Sequence, residues 1–163
     1  MPSDEPLEAL RARAQPIALD LAERQAFAAT MNALAATRLM GGHFELDDAA
    51  VVRLRLEAVA AHHQGGLGTR AVNGAVIAAM FDAALGVAGT LQFPGQRAGT
   101  VELSIKLLRP AFEAPLEVFA VAIKRTPHLA FTEAELQAAG KLCAIATGIV
   151  AVVSNPKDGD SYW

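Results

Sequence analysis

The run Asn73-Gly74-Ala75-Val76-Ile77-Ala78-Ala79-Met80-Phe81-Asp82-Ala83-Ala84-Leu85-Gly86-Val87-Ala88-Gly89-Thr90 decides the fold. Its wealth of alanine favours helix over strand. It is apolar on all sides, so the helix should be buried on all sides. From Ala71 to Leu91 the only charged residue is Asp82, and a stretch of that length could span a bilayer. Against this stand Asn73 and the mid-segment acid, which would cost about 3 kcal/mol in lipid. The reading is therefore a helix engulfed by protein, and the rest of the chain must supply what wraps it.

The second half reads as that wrapper. Thr100 to Leu107 alternates polar and apolar residues and is stopped by Arg109-Pro110. Leu116 to Arg125, Leu129 to Ala138 and Leu142 to Val153 read as three further strands, with a turn at Gly140-Lys141. The four are expected to run in meander. Upstream, Val52 to Ala58 alternates strictly, with Arg53, Arg55 and Glu57 on one face, and a glycine-rich loop from His62 to Arg70 follows. The first forty residues read as helical. Glu5 to Ala14 forms a short charged helix broken by Pro16, and Ala18 to Leu39 a longer one ended by Gly41-Gly42. This gives a helical extension over 1–40, one domain over 41–154 and a loose polar tail over 155–163. The pattern is α+β, one helix gripped by an antiparallel sheet.

Composition narrows the function. Of 163 residues, 53% are hydrophobic and 19% charged, a surplus that a large subunit interface would absorb, so a homo-oligomer is expected. The net charge of −3, without a basic run, argues against nucleic acid. No signal-peptide pattern opens the chain. The lone Cys143 sits in an apolar run, as an inert buried thiol does. A cytoplasmic setting and no membrane partner are expected. There is no Gly-x-Ser-x-Gly elbow, no Walker A loop and no dinucleotide fingerprint.

The run Val72 to Gly86 resembles the signature helix of the PaaI-like hotdog thioesterases. That family shows His-Gly-Gly at the helix start and an acid nine residues after the His; Asp82 lies nine residues after Asn73. Its next strand has Thr or Ser near the start and Arg-Pro or Ser-Pro at the end, matched by Thr100 and Arg109-Pro110. A Gly-Lys turn before the last strand matches Gly140-Lys141. The resemblance covers about Val51 to Val153 and implies the hotdog fold, a long central helix wrapped by a curved antiparallel sheet. Asn73 stands where the family has His, Ala75 where it has the second Gly, and the loop Gly68 to Val72 departs from the family loop.

The resemblance implies an acyl-CoA thioesterase. Asp82 would attack the thioester or activate water. The start of a buried helix offers free N–H groups and a positive dipole end to a developing oxyanion, and the Gly74 N–H would have that role. Asn73 caps the helix or donates its amide to the thioester. Thr100 would hold water or orient Asp82, facing the acid across a subunit interface, so that catalysis would need the dimer or a dimer of dimers. Gln64 is a candidate for positioning water. Arg109, Lys124, Arg125 and Lys141, at strand ends, are candidates for the phosphates of coenzyme A. The CoA thioester is the substrate, with no metal and no further cofactor. His62 and His63 read as solvated loop histidines, and a hydratase would need a His–acid pair that the sequence does not place at Asp82. The alternative reading is a non-catalytic acyl-CoA binding or sensing protein.

Overall fold

The structure, a computed structural model, describes residues 5–153. The tail expected over 155–163 lies outside the described residues. In chain order the elements are helices α1 (Glu5–Arg11), α2 (Leu21–Ala33) and α3 (Ala35–Met40), then strands β1 (His43–Glu45) and β2 (Val52–Leu56). A 3-10 turn (Ala61–His63) leads into the short strands β3 (Gln64–Gly66) and β4 (Ala71–Val72). Helix α4 (Gly74–Thr90) follows, then the long strands β5 (Ala98–Leu107), β6 (Leu116–Arg125), β7 (Leu129–Ala138) and β8 (Lys141–Val152). No helix among the described residues is long and apolar enough to cross a membrane.

The strands other than β3 and β4 form one antiparallel sheet in the order β1-β2-β6-β7-β8-β5. Three of the four late strands do meander, but β5 pairs with β8 and not with β6, which corrects the expected four-strand meander. Helix α4 intervenes between β4 and β5 and lies across the sheet, so its strand returns at the far edge. Alternation sends Val52, Leu54 and Leu56 of β2, Leu116, Val118 and Ala120 of β6, and Ala134 and Leu136 of β7 into the core. There they meet Ile77, Met80, Phe81, Ala84, Leu85 and Ala88 of α4. These recur every three or four residues, one helical face. Met80, Phe81 and Leu85 are fully buried, each contributing about 1.5–3 kcal/mol. At Gly89 the helix comes closest to the sheet: a Cβ there would lie 2.5 Å from Val150 Cβ, so only glycine fits. A long helix packed on an antiparallel sheet is the hotdog arrangement that the resemblance implied.

The N-terminal helices cover what the central helix leaves open. The stretch read as one helix over 18–39 is two, because Leu34 is extended (φ −63°, ψ 139°) and breaks α2 from α3. Asp20 caps α2 in a reciprocal box with Glu23. Gly41 ends α3 with φ 74°, as expected of a glycine C-cap. The Asn32 amide both accepts from Phe44 N–H (2.7 Å) and donates to its carbonyl (3.1 Å), which blunts the β1 edge. The opposite edge, β5, is ten residues long and has no strand on its outer side among the described residues. On the sheet's outer face, away from α4, helix α1 packs Leu10 against Val51 and Val121. Arg53 and Arg55 share that face and pair with Glu117, as the alternation of β2 required.

Candidate functional site

Asn73 begins the site. Its extended backbone (φ −64°, ψ 137°) and its Oδ1, which accepts from Ala75 N–H at 2.9 Å, make it the N-cap of α4. Of the two roles weighed for Asn73, capping is the one the geometry shows. The cap is held in place by its own N–H, which donates to the His63 carbonyl (2.8 Å), while Val72 N–H donates to Ala111 (2.8 Å). Gly74 is the first residue of the helix, where an N–H has no partner inside the helix. A Cβ at Gly74 would meet only Leu107 Cδ1, at an ordinary 3.7 Å. The protein itself therefore leaves room there.

That room is a half-open cavity of about 340 Å³, bounded by Gly74, Ile77, Leu67, Leu107, Leu108 and Arg109. Its walls are mostly apolar, with one cation at the rim. Leu67, Leu107 and Leu108 are more than half exposed, an apolar mouth to the cavity. A smaller recess of about 120 Å³ adjoins at Arg109 and reaches Lys141. Gly74 and Arg109 thus share one cavity, and Arg109 and Lys141 share the recess beside it. Gln64 pairs with Val72, one residue before the cap, so it borders the same helix end without lining the cavity.

Lys124 and Arg125 are not part of this assembly. They end β6 at the other end of the sheet, where Arg125 stacks over the Phe93 ring at 5.4 Å, just past the C-terminus of α4. The nine-residue strand separation from Leu116, at about 3.3 Å per residue, puts Arg125 roughly 30 Å from the cavity end. A strand-end position in the sequence does not say which end of the sheet it occupies, and antiparallel β6 ends away from Arg109.

Asp82 stands on the outer face of α4 and is exposed, which corrects the expectation that the helix is buried on all sides. One sheet covers one side of a helix; Ala75, Ala79 and Asp82 fall on the uncovered side. Asp82 forms no hydrogen bond or ion pair among the described residues. Thr100, on β5, lies against Gly86, one helical turn beyond Asp82: its Oγ1 would be 3.2 Å from a Cβ there. A register shift between Thr100 and Glu102 marks a bulge on this open edge. Asp82 and Thr100 therefore share one surface, while Gly74 lies eight residues back along the helix, about 12 Å at 1.5 Å per residue.

The histidines differ from expectation. His62 is exposed, but His63 is buried. Its Nδ1 accepts from Ala60 N–H (3.0 Å), so Nε2 carries the hydrogen and donates to the Met40 carbonyl (2.9 Å). Both ring nitrogens are engaged, and His63 ties α3 to the loop that positions Asn73. The sequence held no signal for this beyond the residue type. Cys143 is buried and burial pushes its thiol up, as expected of an inert cysteine. Among the described residues no group of three or more His, Cys, Asp or Glu side chains could hold a metal ion.

Residues 70–144, which include Gly74, Asp82, Thr100, Arg109 and Lys141, match the thioesterase superfamily. No curated protein matches significantly. Among solved structures, the chain is similar to the Escherichia coli PaaI protein from the phenylacetic acid degradation operon, at 18% identity and a TM-score of 0.71, covering 83% of this chain and 98% of that one. It is similar to a Haemophilus influenzae thioesterase at 15% identity and a TM-score of 0.71, covering 86% and 95%. It is also similar to a Bacillus halodurans protein solved with CoA, at 20% identity and a TM-score of 0.67, covering 84% and 93%. These likenesses establish the fold, and with the superfamily match they bear out the resemblance to PaaI-like hotdog thioesterases.

Proposed function

We propose that the chain is an acyl-CoA thioesterase whose active site forms between two copies, the helix start of one facing Asp82 of the other. The observation that carries this is the cavity at the start of α4, where the Gly74 N–H, an apolar wall and Arg109 converge. A thioester needs those three things: a positive site for the carbonyl oxygen, a slot for the chain, and a cation for the CoA phosphates. The superfamily match over this segment supports the reading, as does the similar fold of a protein solved with CoA.

Distance supports a second copy. A general base must stand within about 3 Å of its proton, whereas Asp82 is about 12 Å along the helix from Gly74. Pairing the open β5 edges antiparallel about a two-fold axis would run two α4 helices past one another in opposite directions, each Asp82 toward the other helix's start. The exposed small face of α4 would then be the shared surface, and the apolar surplus of the chain would be used there. In this arrangement the Gly74 N–H stabilises the oxyanion, and Asp82 attacks the acyl carbon or takes a proton from water that does so. Thr100 orients Asp82 or that water. The C–S bond breaks and the CoA thiolate takes a proton. Water that attacked directly leaves the free acid at once. Attack by Asp82 instead leaves an acyl–Asp82 anhydride that a water molecule then hydrolyses, releasing the acid and restoring the carboxylate. Arg109 and Lys141 hold the phosphates, and no metal or further cofactor takes part.

The test is thiol release from short, long and aryl acyl-CoAs by the wild type and Asp82→Ala. A drop of about a hundredfold or more is expected, the scale of a lost acid–base group. Binding without turnover by either protein would replace this reading with a non-catalytic acyl-CoA binding or sensing role.

A further inference from the structure

The outer face of the sheet, opposite α4, carries a second cavity. It is about 390 Å³, lies between α1 and the strands β5, β8 and β7, and shares no lining residue with the cavity at Gly74 and Arg109. Glu135 borders it and is only 6% exposed. Its Oε1 is sealed from solvent with no hydrogen-bond partner, the one such side-chain atom among the described residues. Buried carboxylates without partners are costly and uncommon in native proteins. The nearest cation offers Glu135 no bond: Arg13 is taken by Glu133 in an ion pair at 2.6 Å.

Strand register sets the layout of this cavity. Ile145 of β8 is paired on one side with Lys106 of β5 and on the other with Glu135 of β7. Lys106 and Glu135 thus flank one apolar residue, two strand spacings apart, about 9–10 Å. They form no ion pair with one another or with any other described residue. In the adjoining row, Ser104 and Thr147 present two hydroxyls to the same cavity. Leu10 of α1 closes the wall opposite. An unpaired cation, an apolar floor and an unpaired buried carboxylate follow one another in a line.

We infer that this cavity is a ligand site for a compact zwitterion, an ammonium and a carboxylate joined by a short aliphatic spacer, with the ammonium at Glu135, the spacer over Ile145 and the carboxylate at Lys106. A simple amine would leave Lys106 unpaired and be repelled by it, and a simple carboxylate would leave Glu135 without a donor. The cavity, at about 390 Å³, has room for such a molecule together with water. Burial pushes the Glu135 carboxyl up, opposed in part by the Arg13 guanidinium. An ammonium beside it favours the ionised form, so zwitterion binding tightens as pH rises through the raised value. The other charged groups that line the cavity beside Glu135 are Arg13, Glu133 and Lys106.

The experiment is a titration of the isotope-labelled full chain, followed by backbone amide shifts. The probes are glycine, β-alanine, γ-aminobutyrate and δ-aminovalerate, with butyrate and butylamine as single-charge controls. Expected are shifts at Ser104, Lys106, Ile145 and Thr147, with one of the longer zwitterions binding at least tenfold more tightly than either control. Glu135→Gln, which removes the charge and keeps the shape, should weaken that binding at least tenfold, and Lys106→Met should abolish the advantage over butylamine. Both variants should keep wild-type thiol release, so this test and that of the thioesterase reading fail independently. Equal binding of a control, no shift at these amides, or unchanged affinity in Glu135→Gln would overturn the inference.

Discussion

A shared active site makes a prediction that a site within one chain cannot satisfy. Take two variants, Asp82→Asn, which removes the base, and Gly74→Val, which fills the cavity at the helix start. Neither should prevent folding: Asp82 is exposed and unbonded, and a Cβ at Gly74 meets only Leu107 at 3.7 Å. Each variant alone should be nearly inactive, because every site in its homodimer lacks one half. Mixed by co-expression, about half of the dimers contain one chain of each kind. Every such dimer joins an intact Gly74 from the first chain to an intact Asp82 from the second, and so has one working site of two. The mixture should recover about a quarter of the wild-type rate of thiol release. If Asp82 instead served Gly74 of its own chain, across the roughly 12 Å that separates them on one helix, every chain would carry a lesion and mixing would recover nothing. Mixed dimers verified by mass, with no rate above that of the parents, would refute the shared site.

Other consequences follow from the same structure. Gly89→Ala places a Cβ 2.5 Å from Val150 Cβ and Cγ2; it should cost about 1–3 kcal/mol or more and lower Tm by several degrees in calorimetry. Arg109→Ala and Lys141→Ala should each raise KM for acyl-CoA about tenfold, the value of a charged hydrogen bond, with kcat little changed. Arg125→Ala should leave KM alone and lose only its stacking on Phe93, about 0.5–1 kcal/mol of stability. The raised Glu135 carboxyl has a stability consequence with a definite sign. A group held above its unfolded value favours the folded state below that unfolded value and loses the contribution as pH rises through the folded one. Glu135→Gln should therefore match the wild type in Tm near pH 4 and exceed it at neutral pH. An equal Tm difference at both pH values would contradict the burial argument.

Much of the fold was legible because its signals are local. Runs rich in strand-forming residues marked Leu116–Arg125 and Leu129–Ala138 at the residues where β6 and β7 begin and end. Asn73 ahead of an alanine-rich run marked the start of α4. The break at Leu34 carried no proline or glycine to announce it. The three residues of β1 were too few to show a period. In the site, Gly74 and Arg109 were found from the sequence and do share a cavity, while His63 and Glu135 were not. The value of those two lies in what surrounds them, and their neighbours in space come from distant positions: Met40 and Ala60 for His63, Arg13 and Ile145 for Glu135.

The sequence alone was enough for the long strands, the central helix and its cap, because each depends on contacts within a helical turn or on the local run of residues that makes a strand. Tertiary structure alone decided that β5 returns beside β8, leaving a ten-residue edge open. It alone put Lys124 and Arg125 at the far end from Arg109, and turned Asp82 to the uncovered side of α4. Those outcomes depend on which strands pair and which face of a helix meets the sheet. Many pairings satisfy the same local pattern, and the long-range packing of Phe81, Leu85 and Gly89 against the sheet selects one of them.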